Sequence, residues 1–400
     1  MTYYQLSNVN YNIMAKNLKL KFKNVDKNDI FLSHSLAKYL YRTKEQINYF
    51  EDEWNSIKKI TNPYEYIHTP ISSQSPAISK IKPLSRAFFK LIEICNVLDI
   101  FKNYTRTPIK SFHLAEGPGG FIEAMTYLRF NKSDIYYGMT LIDDRNNNVP
   151  GWKKSELFLK KNNNVIIEKG CDGTGNLYNP ENYKHCLERY KNSMDFITGD
   201  GGFDFSIDYN NQEYMAIRLI LTQVAYAIGM QKEGGTFVLK LFDVFSKATL
   251  DIVFLLASFY SSTYIIKPNT SRVANSEKYI VCTGFKYRDT VEISNKFLSI
   301  ICVLNNMKFK DILLSRLLDI KINYRFITVI EEINAIVAQQ QVASILSTLR
   351  IIQNKERKCE RIQTVKTQNI QKCISWCVKN KIPYHKYGVS TNIFLSSISK

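Results

Sequence analysis

Between residues 84 and 288, short apolar runs alternate with longer segments whose apolar residues recur every three or four positions, and few folds tolerate that order. The strand-like runs are "SFHLAE", "DIYYGMTL", "NVIIEKG", "MDFITGD", "GTFVLKLF", "STYIIKP" and "KYIVCTGF". Helix-compatible stretches such as "NQEYMAIRLILTQVAYAIGM" and "KATLDIVFLLASFY" separate most of them. Such alternation predicts an α/β fold with a mainly parallel sheet covered on both faces. The last two runs are joined by "NTSRVANSE" without a helix, so they are expected to pair antiparallel, giving a seven-stranded sheet with one reversed strand. Residues 1–83 read as an N-terminal extension of polar helices and loops, 84–288 as the sheet-bearing core, and 289–400 as a basic region of bundle helices rather than more sheet.

Charge adds a functional hint. With 54 Lys and Arg against 36 Asp and Glu, the net charge of +18 suits a polyanionic partner. Part of that excess is a lysine and asparagine bias along the whole chain. A cluster of Lys355, Arg357, Lys358, Arg361, Lys366 and Lys372 is either a solvated helix face or an RNA-binding surface. The most apolar stretch, "IVFLLASFYSSTYII", is short and broken by serines, so no membrane partner is expected. The first residues lack the compact apolar block of a secretory signal, which favours a soluble intracellular protein, cytoplasmic rather than nuclear. The 8 cysteines are scattered, and Cys373 and Cys377 with His385 downstream read as a half-buried helix face, so no metal site is expected.

In an open α/β sheet ligands gather at the carboxyl ends of the strands. After the first run comes the turn Glu116-Gly117-Pro118-Gly119-Gly120, leading through Phe121 into a helix, a place suited to a polar small molecule. Asp143 and Asp144 follow the second run, Asp172 the third and Asp200 the fourth. Lys240 lies within the fifth, Glu277 precedes the last, and Lys90 is on the helix entering the first. Each has an ordinary reading as turn chemistry or a solvated side chain. Their joint placement is what points to chemistry, because two lysines and two acids would converge beside one pocket.

The order Lys90, Asp200, Lys240, Glu277, set in "SRAFFK", "GDGGFD", "FVLKLFD" and "TSRVANSEKYIVC" and combined with "AEGPGGF", resembles the FtsJ-type RNA 2′-O-methyltransferases, in particular the branch acting on the messenger RNA cap. The resemblance covers roughly residues 84–287. It implies a Rossmann-like fold, S-adenosylmethionine as cofactor with no metal required, and a Lys-Asp-Lys-Glu tetrad acting on a ribose 2′-hydroxyl. It further implies that Glu116, Gly117, Pro118, Gly119, Gly120, Phe121, Asp143, Asp172 and Asp200 serve the cofactor, with Asp172 facing the adenine amino group. Gln212, Glu213, Arg272 and Asn275 fall where the cap-directed relatives hold 7-methylguanine. The expected partners are capped mRNA or other RNA, together with other capping enzymes.

Methyl transfer to an oxygen is an in-line displacement whose main needs are alignment and a more nucleophilic hydroxyl. Lys240 is the candidate for contact with the 2′-oxygen. To act as a neutral base near pH 7 it needs a fall of roughly 2–3 from a reference pKa near 10.4. Lys90 would push that way, while Asp200 and Glu277 would oppose it. Its role therefore stays open between proton removal and donation to the developing alkoxide. Two other functions also fit these residues: the same chemistry on ribosomal or transfer RNA, and a non-catalytic RNA-binding scaffold that keeps the fold.

Overall fold

A computed structural model describes residues 3–24, 30–104, 107–143, 145–146, 149–202, 209–307, 312–354 and 358–386. Asp144, Lys355 and Arg357 lie outside the described residues. The strands are β1 (Tyr3–Gln5), β2 (Leu18–Asn24), β3 (Lys110–Leu114), β4 (Ile135–Met139), β5 (Val165–Ile167), β6 (Met194–Gly199), β7 (Gln231–Leu241), β8 (Tyr260–Ile266), β9 (Lys278–Phe285) and β10 (Ile312–Leu318). The helices are α1 (His34–Glu45), α2 (Glu51–Thr61), α3 (Ala87–Val97), α4 (Gly120–Arg129), α5 (Glu156–Lys161), α6 (Pro180–Tyr190), α7 (Gln212–Met230), α8 (Lys247–Phe259), α9 (Val291–Asn306), α10 (Tyr324–Gln353) and α11 (Lys358–Lys379).

All seven expected strands are present, as β3 to β9, in the order β8-β9-β7-β6-β3-β4-β5. β3 to β7 run parallel, and β9 is antiparallel to both β7 and β8. The chain moves from β3 outward through β4 and β5, then returns to the other side of β3 as β6. That reversal opens a crevice above the carboxyl ends of β3 and β6. In the β7–β9 register Lys240 pairs with Tyr279, which places the lysine and the start of β9 side by side.

The core has two faces because residues along each strand alternate between them. Phe237, Leu239 and Leu241 of β7 pack with Tyr183, Tyr226, Phe254 and Phe297 from α6 to α9. Val238 of β7, with Tyr279 and Val281 of β9, packs with Phe88, Ile92, Ile122 and Trp376 from α3, α4 and α11. Cys373 and Cys377 belong to this second face, matching the reading of a half-buried helix face.

The flanks depart from the sequence expectation in one respect: they also contain strands. β1 pairs antiparallel with β8 and adds an eighth strand at the sheet edge. β2 pairs antiparallel with β10 in a separate two-stranded sheet. Buried Asp251 of α8 fixes that sheet, accepting the N–H groups of Leu317 and Leu318 at 2.9 and 3.0 Å and the Arg316 Nε at 2.8 Å. α10 is long and apolar enough by length and composition to cross a bilayer, yet one side of it packs on α1, α2 and α11.

Candidate active site

Four elements bring the tetrad together. Lys90 projects from the buried face of α3 and meets Glu277, just before β9, at 2.8 Å from Oε1 and 2.9 Å from Oε2. Lys240, near the end of β7, donates to the Asp200 carbonyl at 2.7 Å and lies 3.2 Å from Asp200 Oδ1 and 4.0 Å from Glu277 Oε2. Burial alone would push Glu277 up, but Lys90, followed by Lys240 and Arg86, outweighs it and holds the carboxyl well below its usual range. Burial pulls Lys90 below the usual ammonium range, with Glu277 and Asp200 opposing.

Tyr279 was not anticipated from sequence. Its hydroxyl donates to Asp200 Oδ1 at 2.7 Å, so the aspartate is held from β9 as well as by Lys240. The signal was present, since Tyr279 follows Glu277 by two residues and therefore shares its side of the strand. Gly202 matters for the opposite reason. A Cβ there would sit 3.2 Å from Lys240 Nζ, so the glycine keeps its own side chain off that nitrogen.

The turn after β3 is fastened from inside. Glu116 is buried, and its Oε1 accepts the N–H groups of Phe121 and Ile122 at 2.7 and 3.0 Å, which occupies the first turn of α4. Burial pushes its carboxyl up to about 8. This corrects the expectation that these N–H groups point outward to a ligand: Glu116 takes two of them. A Cβ on Gly117 would lie 2.5 Å from the Gly151 carbonyl, and one on Gly120 2.1 Å from Ser85 Oγ, while Gly119 has φ +107° beside Trp152. The glycines therefore allow two neighbouring segments to close on the turn, with Pro118 accepting from Ser155.

Among the described residues the Asp143 carboxyl is engaged only through Oδ1, by the Arg145 N–H at 3.1 Å. Asp172 is exposed and organises its own loop: Thr174 N–H and Oγ1 at 2.9 and 2.8 Å, Asn182 at 2.9 Å and Asn179 at 2.7 Å all donate to it. Those donors outweigh the effect of burial and lower it to about 2. That loop abuts the end of β4, where the Ile142 N–H reaches the Thr174 carbonyl at 2.7 Å.

Beside the tetrad lies a cleft of ≈ 290 Å³ whose wall includes Arg272, Asn275, Gln212, Trp54, Lys44 and Lys58. Arg272 is held by Glu65, with Nε at 2.9 Å and Nη2 at 2.6 Å. Asn275 accepts Lys267 Nζ through Oδ1 at 2.9 Å. The same Oδ1 accepts the Ser271 hydroxyl at 3.3 Å, and the Asn275 NH₂ has no hydrogen-bond partner among the described residues. Glu213 does not belong to this wall. It is buried and accepts the N–H groups of Phe245 and Ser246 at 3.1 and 2.8 Å, tying the start of α7 to the start of α8. The aromatic residues of the wall are Trp54, from the N-terminal flank, and Tyr209.

A class I-type strand order, with a glycine turn at the crevice and a Lys-Asp-Lys-Glu cluster at the strand ends, defines a methyltransferase. The chain matches the FtsJ-like methyltransferase family over residues 83–285 and belongs to that family. It is 26% identical to cap-specific mRNA (nucleoside-2′-O-)-methyltransferase 2 of Drosophila melanogaster over 60% of this chain and 37% of that protein. Against cap-specific mRNA (nucleoside-2′-O-)-methyltransferase 1 of Trypanosoma brucei brucei it is 42% identical over 29% of this chain and 32% of that protein. The corresponding protein of Trypanosoma cruzi is 32% identical over 50% of this chain and 56% of its own length. The chain thus spans between 32% and 56% of the length of these three curated relatives.

The family implies S-adenosylmethionine as methyl donor, and the crevice fits it. Asp143 Oδ2, without a partner among the described residues, suits a ribose diol. The indole N–H of Trp152, beside Gly119, is a buried donor without a partner among the described residues.

Proposed function

We propose that this protein transfers a methyl group from S-adenosylmethionine to the ribose 2′-hydroxyl of a cap-proximal nucleotide of mRNA, with residues 84–288 carrying the chemistry and both flanks helping to form the cap cleft. The observation that carries this reading is the setting of Lys240. Nζ donates to the Asp200 carbonyl at 2.7 Å and lies 3.2 Å from Asp200 Oδ1, and Gly202 beside it places no side chain against it.

The bound cofactor supplies an electrophilic methyl group. Everything else falls to the chain. Asp200, Tyr279 and Glu277 fix where Lys240 Nζ sits, and Lys90 neutralises Glu277. Lys240 then hydrogen-bonds the 2′-oxygen, accepting its proton as an amine or stabilising the alkoxide as a cation. The cleft receives the cap base, with Trp54 as an aromatic wall, Asn275 as a donor and Gln212 alongside.

The test is transfer of a labelled methyl group onto matched short RNAs, one with a 7-methylguanosine cap and one with a bare triphosphate. Wild type is expected to modify the capped RNA only, and Lys240→Ala to lose about 10²–10³-fold in rate with cofactor binding retained. Equal modification of both RNAs would overturn the cap assignment. Activity surviving the substitution would overturn the role of Lys240.

A further inference from the structure

Three cations of the site have different fates. Lys90 is paired with Glu277 and Arg272 with Glu65. The side chain of Arg86, the residue preceding α3, has no hydrogen bond or ion pair among the described residues, and its Nη1 is buried without a partner. Arg86 is half-buried, so the unmet part of its forked donor is the buried Nη1, and a buried donor without an acceptor is costly unless something else completes it.

The place where it sits narrows what that is. Ser85 and Ala87 on either side of Arg86 press against Gly120, so the residue adjoins the glycine turn. Its charge acts on Lys90 and Glu277 of the tetrad and on Lys58 and His68 toward the cleft. Lys58 lines the cleft, and among the described residues its Nζ donates only to Asn55 Oδ1, at 2.7 Å. Burial, then Arg272 and Lys59, pull Lys58 below the usual ammonium range, with Arg86 adding to them and only Glu65 opposing. Among the described residues, the carboxylates Glu277 and Glu65 are already paired, with Lys90 and Arg272. Positive charge without a counter-ion therefore collects where cleft and tetrad meet.

We propose that Arg86 is a phosphate-binding residue, its guanidinium taking a phosphate group of the RNA substrate at the junction of cleft and tetrad, with Lys58 on the cleft side. The inference rests on the reading of the substrate as RNA. A phosphate there would hold the strand on one side of the reacting ribose, so that the 2′-hydroxyl faces Lys240. Guanidinium and phosphate match as a two-pronged pair, which a lysine at the same position would reproduce in charge and not in shape.

The phosphate belongs either to the 5′-triphosphate or to an internucleotide linkage, and two probes separate these. Equilibrium binding of one short RNA sequence, with a 5′-triphosphate or a 5′-hydroxyl, is measured across salt concentration for wild type, Arg86→Gln and Arg86→Lys. Arg86→Gln is expected to weaken binding about tenfold and to lower the salt slope by about one, with cofactor affinity and melting temperature kept. A loss confined to the triphosphate RNA assigns the 5′ end, and an equal loss on both assigns an internucleotide phosphate. An unchanged slope in a folded, cofactor-binding Arg86→Gln protein overturns the proposal. Should that variant not fold, Arg86→Lys carries the test: the slope is kept and the RNA KM rises, and an unchanged KM overturns it. Wild type that binds RNA without transferring a methyl group would refute the proposed activity and leave the phosphate seat standing.

Discussion

Glu65 and Arg272 form a two-pronged ion pair across 207 residues of sequence, the carboxylate taking Nε at 2.9 Å and Nη2 at 2.6 Å. Glu65 lies outside residues 83–285, the part that matches the family, whereas Arg272 lies on the loop that ends in Glu277. The N-terminal flank is thus part of the scaffold of the site. Glu65→Gln would leave a largely buried guanidinium half-compensated. Since Arg272 keeps 25% of its side chain exposed, the expected loss of unfolding free energy is about 2 kcal/mol, below the range for a fully buried pair. Denaturant titration measures it, and an unchanged midpoint would show that the pair is dispensable.

The same carboxyl gives a pH signature. Burial would raise Glu65, but Arg272 lowers it to about 2 from the ordinary 4.5. A depressed carboxyl binds its proton more readily in the unfolded chain, so its stabilisation is present above about 4.5 and is lost as pH falls toward 2. Acid unfolding of Glu65→Gln should therefore depend less on pH in that window than wild type. Coincident slopes would refute the ion pair as the cause.

From the opposite side, Lys44 of α1 reaches Asp243 Oδ2 and Ser276 Oγ, both at 3.0 Å, while Ser276 Oγ also donates to Asp243 Oδ2 at 2.8 Å. Gln341 of α10 holds the Ala274 carbonyl at 3.0 Å. Asp243 is the only carboxylate in ion-pair contact with Lys44 and Lys278 among the described residues. Asp243→Asn would leave two buried ammonium groups together and is expected to cost about 3–5 kcal/mol. Because Ser276 adjoins Glu277, the RNA KM should rise as well at temperatures where the variant is folded. Stability lost with KM unchanged would separate this network from the site.

The pattern of legible and illegible features follows from the range of the interactions. β3 to β9 and the glycine turn carry their signals within short local runs, strand order put Asp200 and Lys240 at strand ends, and the resemblance implied the tetrad. β2 was also readable, because "LKLKFKN" alternates lysine with apolar residues at the period of a strand, but its polar surroundings drew it into a helical reading. "ILLSRLL" of β10 is a short apolar run after a helix, which periodicity alone does not distinguish from more helix. Lys44, Trp54, Glu65 and Gln341 carry no local signal, since each acquires its role only when the flanks fold back onto the loop before β9. Glu213 shows the converse: its position in the order of the chain suggested a ligand contact, and its burial commits it to the start of α8.

Gly202→Ala tests the side of Lys240 that faces Gly202. The new methyl group would meet Nζ at 3.2 Å and Cε at 3.4 Å, and because both are the far end of a flexible chain, Lys240 should yield by a few tenths of an ångström rather than the backbone. Stability and cofactor affinity should hold, while the transfer rate falls about tenfold or more through misplacement of the reacting group. A rate equal to wild type would mean that the substrate does not approach Nζ from that side.

Glu116 should make the cofactor-free protein less stable as pH rises. Its carboxyl is pushed up to about 8 in the folded chain, chiefly by burial with Asp200 adding to it, whereas the unfolded chain releases the proton near 4.5. Between those values the folded chain binds a proton that the unfolded chain has lost. Stability is then full below about 4.5 and declines as pH climbs to about 8. Glu116→Gln keeps an oxygen to accept the Phe121 and Ile122 N–H groups and removes the titration. Its denaturation midpoint should equal wild type at pH 5 and exceed it at pH 8 to 9, both measured without cofactor. Parallel curves would mean that the carboxylate is ionised throughout, and that the two N–H bonds holding the turn outweigh the cost of burying its charge.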